Sequence, residues 1–338
     1  MGNGRGAELR WVGIDEAGYG PNLGPLVLTG VVAEWNVERA ARGCAPPRTL
    51  DFWGDLAQTV DRAGGDPGKV WVDDSKRILH GGKGRARLEH AFRAAIGAIG
   101  RPVPESIVDL LAILGAGTLE EVEIARWLEE RKVPAPKLVG DASASLATMA
   151  AQQVLCPAHS NWRLTAIRSV IIGPARFNRA LAATGVKSAV HFGAFAELLR
   201  WIWDQAGDGA STQVACDKHG GRHYYFPGLC QTFPDAWIDR GDEGPDLSRY
   251  AIRDRSRTIE IRLSPRADQT DGLVALASLV SKALRELWMD VFNGYWSARL
   301  PGLRPTAGYP LDATRFRREI DQAACADNCD PATWWRIK

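Results

Sequence analysis

The sequence predicts an α/β chain whose sheet begins with an antiparallel pair, and three observations carry that expectation. Two apolar runs, residues 9–15 and 25–35, flank a glycine-rich turn, Gly18-Tyr19-Gly20, and read as consecutive strands. Leu88, Ala91, Phe92, Ala95, Ile96 and Ile99 recur at helical spacing. Short apolar runs then alternate with further helical stretches toward the end of the chain.

The segment Asp74-Ser75-Lys76 precedes the first of these helices, and residues 163–173 read as a strand. Val190, Phe192, Phe195, Leu198, Leu199, Ile202 and Trp203 mark a second amphipathic helix. Thr212 to Cys216 gives a strand ending at Asp217, after which Gly220-Gly221 reads as a hairpin turn into residues 222–226. A strand at 259–263 leads to a long helix over about 272–292, with Asp271 as its N-cap and Ala275, Ser278, Ser281 and Lys282 on nearby faces. A last helix is expected over about 312–324, within a C-terminal helical and tail segment, 300–338. Between 102 and 162 the pattern changes: Pro102, Pro104, Pro134, Pro136 and Pro157 bracket a stretch, residues 107–131, that is apolar on one face and acidic on the other. It reads as a helical insertion in an otherwise single domain spanning 1–338.

Composition narrows the classes. At 338 residues and 45% apolar content the chain can bury a substantial core. No apolar run approaches the roughly 18 residues of a membrane span, and residues 1–6 lack the apolar centre of a signal peptide. Cys44, Cys156, Cys216, Cys230, Cys325 and Cys329 are scattered, which suits a reducing interior. The expected location is the cytoplasm, with no membrane association. A net charge of +2 and a pI near 8.2 permit a nucleic-acid partner without requiring one.

The chemistry concentrates in Gly13-Ile14-Asp15-Glu16-Ala17-Gly18-Tyr19-Gly20-Pro21. Two like charges at about 4 Å and an effective dielectric near 20 repel by roughly 4 kcal/mol, so a fold that holds two adjacent carboxylates at a strand end calls for a cation there. The glycines allow close backbone approach. Together they indicate a metal-dependent site that handles phosphate.

These residues, with Gly24-Pro25-Leu26-Val27 after them, resemble the opening of the type 2 ribonuclease H family, ribonuclease HII and its relatives. Further segments agree in order: Asp74-Ser75-Lys76, the strand ending at Asp217, Asp268 followed by a helix carrying Ser278 and Lys282, and Gly308-Tyr309-Pro310. Stretches between 35 and 70 and between about 100 and 165 interrupt the resemblance. The resemblance implies a ribonuclease H-like fold, a five-stranded mixed sheet flanked by helices, with Asp15, Glu16, Asp217 and Asp268 converging at one edge as catalytic and metal-holding residues. It also implies two divalent ions, Mg2+ or Mn2+, and products ending in a 3′-hydroxyl and a 5′-phosphate. Hard ions of this kind prefer oxygen ligands, and a pair of them meets the needs of phosphodiester hydrolysis. The implied substrate is an RNA/DNA hybrid or DNA with embedded ribonucleotides; no obligate protein partner is expected.

In the family the glycine-basic-glycine turn and the late tyrosine sense the 2′-hydroxyl at an RNA-to-DNA junction. Here the turn is Gly18-Tyr19-Gly20, which keeps the backbone donors and lacks one cation; Tyr309 is placed to stack on sugar or base. Lys76, Arg77, Lys282 and Arg285 are candidates for phosphate contacts, and Ser75 and Ser278 for hydroxyl contacts. Trp334 and Trp335 are candidates to contact a duplex or clamp the tail. Cys325 with Cys329, or Cys156 with His159, lacks the second half of a zinc site. His219 reads as a surface hairpin residue or a proton shuttle, and His223 as a surface residue. Two other functions stay open: a nuclease redirected to structured DNA, and a binding module of the same fold without turnover.

Overall fold

Residues 9–36, 46–101, 107–115, 154–155, 161–207 and 209–337 are described by a computed structural model of the chain. Strands β1 (Leu9–Ala17) and β2 (Leu26–Trp35) form the antiparallel pair that the sequence predicts, with Ile14 opposite Gly30 and Asp15 opposite Thr29. A short helix α1 (Phe52–Asp55), a two-stranded parallel patch of β3 (Val60–Asp61) and β4 (Val70–Trp71), and helices α2 (Ser75–Leu79) and α3 (Gly84–Ala98) follow. Helix α4 (Ile107–Gly115) is the start of the expected insertion helix; the rest of that helix, residues 116–131, and most of the 102–162 stretch lie outside the described residues.

Beyond it come β5 (Trp162–Ile172), α5 (Pro174–Thr184), α6 (Lys187–Gln205), β6 (Ser211–Asp217), α7 (Phe226–Thr232), β7 (Trp237–Glu243), β8 (Ser248–Arg253) and β9 (Thr258–Ser264). A single 3-10 turn, Ala267–Gln269, leads into α8 (Gly272–Arg299), and α9 (Pro310–Ala326) precedes the tail. Asp271 caps α8 as expected, its carboxylate accepting from the amides of Leu273 and Val274 at 2.9 and 3.1 Å.

The main sheet runs in the order β5-β2-β1-β6-β9-β8-β7. Pairs β1/β6 and β6/β9 are parallel and the rest antiparallel. It therefore has seven strands, not the five implied by the family resemblance. The added pair, β7 and β8, extends the β9 edge. The outermost strand, Trp237–Glu243, is mostly charged and half-exposed, so it lacks the apolar alternation by which a strand is recognised. The expected hairpin strand at 222–226 is also corrected. Tyr225 turns inward there: its amide donates to the Tyr250 hydroxyl at 3.0 Å, its own hydroxyl accepts from the His219 amide at 3.1 Å, and α7 then starts with Pro227 in its first turn.

Alternation along β1 divides the core. Trp11 joins Val27, Val31 and Leu276 under α8 and α3, while Val12 and Ile14 join Leu28, Phe195 and Leu198 under α6 on the other face. Gly13 marks the closest approach of α8. A Cβ there would stand 2.2 Å from the carbonyl carbon of Leu273, so only hydrogen lets the helix N-terminus lie against the strand.

Candidate active site

Because successive side chains of a strand point to opposite faces, the two adjacent acids of β1 part company. Asp15 shares the face of Trp11, toward α8, and Glu16 the face of Val12 and Ile14, toward α6. The parallel register Ile14↔Cys216 makes Asp217 the next neighbour of Asp15 on the same face. On the other side of β6, Asp217 pairs with Ser264 at the end of β9, and Asp268 follows four residues later in the 3-10 turn. Three neighbouring strand ends thus deliver all four acids to one end of the sheet.

Their electrostatics agree with that placement. Asp15 is buried and its carboxyl lies well above the usual range, first through burial, then through Glu16, with Asp217 and Asp268 adding to it and a hydrogen bond from Ser278 opposing. Asp217 is raised by burial and by Glu16, against hydrogen bonds from the amides of Lys218, Ala267 and Arg266; the Lys218 amide stands 2.8 Å from its Oδ1. Arg266 adopts φ 56°, a left-handed conformation uncommon for a long side chain, in the turn that aims these amides. Asp268 is pushed up to about 6 by burial, then by Asp74 and Asp217, with Lys76 opposing.

Hydroxyl groups tie this end of the sheet to α8. The Ser278 hydroxyl lies 3.4 Å from that of Ser75, and Ser281 donates to the Asp15 carbonyl at 3.0 Å and lies 2.8 Å from Thr29 Oγ1. Glu16 meets a buried histidine on α6, His191 Nε2, at 3.5 Å. The His191 ring lies edge-on to Tyr19 and to His219. His219 is buried rather than on the surface. It is packed among His191, Phe195 and Tyr225, and burial holds its imidazole well below the usual range.

Of the other sequence-predicted residues, Gly20 is exposed and Tyr19 half-buried, its hydroxyl raised by burial and by Glu16. Tyr19, Arg222, His223 and Tyr224 line a cavity of about 390 Å3 beside His219. Tyr309 is 51% exposed, and the preceding Gly308 carbonyl accepts from the amides of Asn22 and Leu23 at 2.9 and 3.3 Å, so the two expected substrate elements are joined. Lys76 faces Asp268, and Arg77 pairs with Asp73. Lys282 pairs with Glu286 at 2.9 Å. Arg285 departs from the expected phosphate contact. It is 1% exposed and donates to the carbonyls of Leu23 and Ala307, because three glycines leave room for it beneath the surface loop. Trp334 is buried and Trp335 pairs with Leu23, so both clamp the tail.

Sequence reasoning missed Asp74 as a charge acting on Asp268 and His191 behind Glu16. Asp74 lay in a motif that could have signalled it; Trp335-Arg336 resembles the family's basic, aromatic tail, but nothing in the sequence marked Arg336 as buried. The donor set, four carboxylates of which the three aspartates are raised by burial and by neighbouring acids, fits a hard divalent cation. Among the described residues no three His, Cys, Asp or Glu side chains already stand close enough to hold one ion. None of their helices is long and apolar enough to cross a membrane.

No family model and no curated protein matches the sequence. Among solved structures, the chain is similar to RNase HII of Archaeoglobus fulgidus, in a structure with PCNA, at 13% identity and a TM-score of 0.40, over 97% of this chain and 94% of that one. It is also similar to ribonuclease H2 of Pyrococcus horikoshii OT3, at 12% identity and a TM-score of 0.40, over 96% and 92% of the two chains. A third is Bst-RNase HIII in complex with Mn2+, at 13% identity and a TM-score of 0.37, over 98% of this chain and 67% of that one. Likeness at this level carries no functional argument; the four carboxylates of this chain do.

Proposed function

We propose that this chain is a divalent-metal-dependent endonuclease that cuts the RNA-containing strand of a duplex, either an RNA/DNA hybrid or DNA with embedded ribonucleotides. The observation that supports it is the gathering of Asp15, Glu16, Asp217 and Asp268 at the ends of three neighbouring strands, where the three aspartates are raised by burial and by neighbouring acids. Asp15 and Asp217, side by side on one face, would share the ions, with Glu16 and Asp268 completing the two sites. Bound Mg2+ or Mn2+ supplies the charge that activates water and stabilises the leaving oxygen.

The chain's own groups do the rest. The backbone of Gly18-Tyr19-Gly20 presents amides toward ribose and phosphate oxygens, and the half-exposed Tyr309 offers a ring for sugar or base. Ser278 holds the Asp15 carboxylate through its hydroxyl, and the amides of Lys218, Arg266 and Ala267 hold that of Asp217. His191 contacts Glu16 on the α6 face of the sheet, the face away from Asp15. The products under this reading end in a 3′-hydroxyl and a 5′-phosphate.

The tyrosine in place of a turn cation favours a second reading, in which the same carboxylates cut structured DNA. Three labelled duplexes separate them: one with a single embedded ribonucleotide, one RNA/DNA hybrid and one all DNA, each in Mg2+ and in Mn2+, beside an Asp15→Asn variant. Incision at or within the RNA, lost in the variant, is expected. Cutting of an all-DNA fork, run beside them, with no preference for ribonucleotides would favour the second reading. Binding of duplex without turnover, unchanged by the substitution, would make the chain a binding module.

A further inference from the structure

Two arginines are buried side by side beneath the Gly18-Tyr19-Gly20 turn. Arg285 comes from α8 and Arg336 from the tail, and each is 1% exposed, although arginine is among the residues seldom buried without a charged partner. Gly18, Gly24 and Gly308, with φ between 82° and 89°, wrap the Arg285 side chain; a Cβ at Gly18 would stand 2.9 Å from its Cδ and Nε. Arg285 Nη2 donates to the Leu23 carbonyl at 3.1 Å and to that of Ala307 at 2.9 Å. Arg336 Nε donates to the Pro21 carbonyl at 3.0 Å, its Nη2 donates to Pro21 and, at 3.4 Å, to Tyr19, and its amide donates to Asn22 at 2.8 Å.

Every one of these acceptors is a neutral carbonyl. Among the described residues, Arg285 Nε and Nη1 and Arg336 Nη1 have no hydrogen-bond partner. The carboxylate ion-paired with Arg285 is Glu286, 3.9 Å from Nη1 and itself 2.9 Å from Lys282. Burial first, and the Arg285 charge second, push Arg336 down to about 9. Buried charges without close counter-charges are strongly unfavourable, so an anion near the turn would relieve a stress already present.

We infer that Arg285 and Arg336 charge the turn at residues 18–22 from beneath and make its exposed face a binding site for a phosphate group, replacing the cation that Tyr19 does not supply. With the carbonyls of Tyr19, Pro21, Asn22 and Leu23 turned inward onto guanidinium and tail backbone, the amides of Tyr19 and Gly20 are left for a ligand. Among the described residues neither amide has a hydrogen-bond partner, and Gly20 borders open space. Successive free amides over a positive field form an anion-binding concavity. The phosphate is one of the substrate strand, which rests on the nuclease reading above; inorganic phosphate shares the chemistry. Arg336 is then a positioning residue, and the tail becomes part of the substrate site.

The test uses the full chain as wild type, Arg336→Lys, Arg336→Gln, and Arg336→Gln combined with Tyr19→Arg. Two quantities are measured: affinity for a fluorescein-labelled ribonucleotide-containing duplex in EDTA, and the melting temperature as inorganic phosphate replaces chloride at constant ionic strength. Arg336→Gln, which keeps donors for Pro21 and loses the charge, is expected to weaken duplex binding about tenfold and to abolish the phosphate-dependent rise in melting temperature. Arg336→Lys keeps both, and Tyr19→Arg restores duplex affinity to the Gln variant by returning a cation to the turn. Wild-type affinity in Arg336→Gln, equal weakening in the Lys and Gln variants, or no restoration by Tyr19→Arg would overturn the inference. A wild type whose melting temperature is indifferent to phosphate, which needs no variant to fold, would overturn it as well. A wild type stabilised by phosphate through Arg336 but binding no duplex would keep the anion site and sink the nuclease reading.

Discussion

Asp268 holds its proton up to a pH of about 6, through burial, then Asp74, then Asp217. A folded-state value above the unfolded 3.8 means that its favourable contribution to folding is complete below pH 3.8 and is lost as pH rises through 6. A rise of that size corresponds to about 3 kcal/mol, which screening at a carboxylate partly open to water reduces to about 1 kcal/mol. Metal-free Asp268→Asn protein should therefore melt roughly 2 °C above wild type at pH 7.5, with the gap closing by about pH 4 as the wild-type carboxyl protonates. A variant that melts below wild type at pH 7.5 would show that the carboxylate is not under repulsion. The same scale marks where motif reading fails. Asp15 and Glu16 were legible as a pair, yet only strand alternation separates them onto two faces. Arg285 read as a phosphate contact because it lies three residues from Lys282 on one helix; the space cleared for it beneath the surface by Gly18, Gly24 and Gly308 comes from distant segments of the chain.

Helix α8 is the element that places the site. It is buried along most of its length, its N-terminal turn lies on β1, and its Ser278 and Ser281 reach the Asp15 carboxylate and carbonyl. Its apolar periodicity and its Asp271 cap made it legible in the sequence, with an end that runs past the expected 292 to Arg299. Gly13 is where strand and helix touch, with backbone of Leu273 and Val274 2.2 and 2.3 Å from a Cβ built there. Backbone on both sides cannot yield by side-chain rotation, so Gly13→Ala should destabilise by roughly 3 kcal/mol, read as a shift in urea midpoint. It should also reduce activity by moving Asp15 relative to Ser278. Wild-type stability in that variant would mean that α8 does not press on β1. The β7–β8 pair was not legible, because its outer strand is a charged sheet edge whose order comes from pairing with β8 and β9 rather than from its own pattern.

Across the whole molecule, the site is a meeting of distant segments at one end of the sheet. β1, β6 and the turn after β9 bring the acids, α2 and its cap bring Ser75 and Asp74, α8 brings the serines, and Gly308 with the tail locks the glycine turn. The motifs supplied the acids in order, but not the parallel register that sets Asp217 beside Asp15, nor the tail's return across Leu23. Burying mutually repelling carboxylates lowers stability unless a cation is bound, and this links the fold directly to the proposed chemistry. The most direct test of that link is the melting temperature of wild type and Asp15→Asn across millimolar Mg2+. Free Mg2+ at a hundred times its dissociation constant stabilises the folded chain by about 2.7 kcal/mol, so the wild type should gain several degrees while the variant starts higher and responds little. A wild-type curve that does not move with Mg2+ would contradict a shared metal-binding cage, and with it the proposed nuclease.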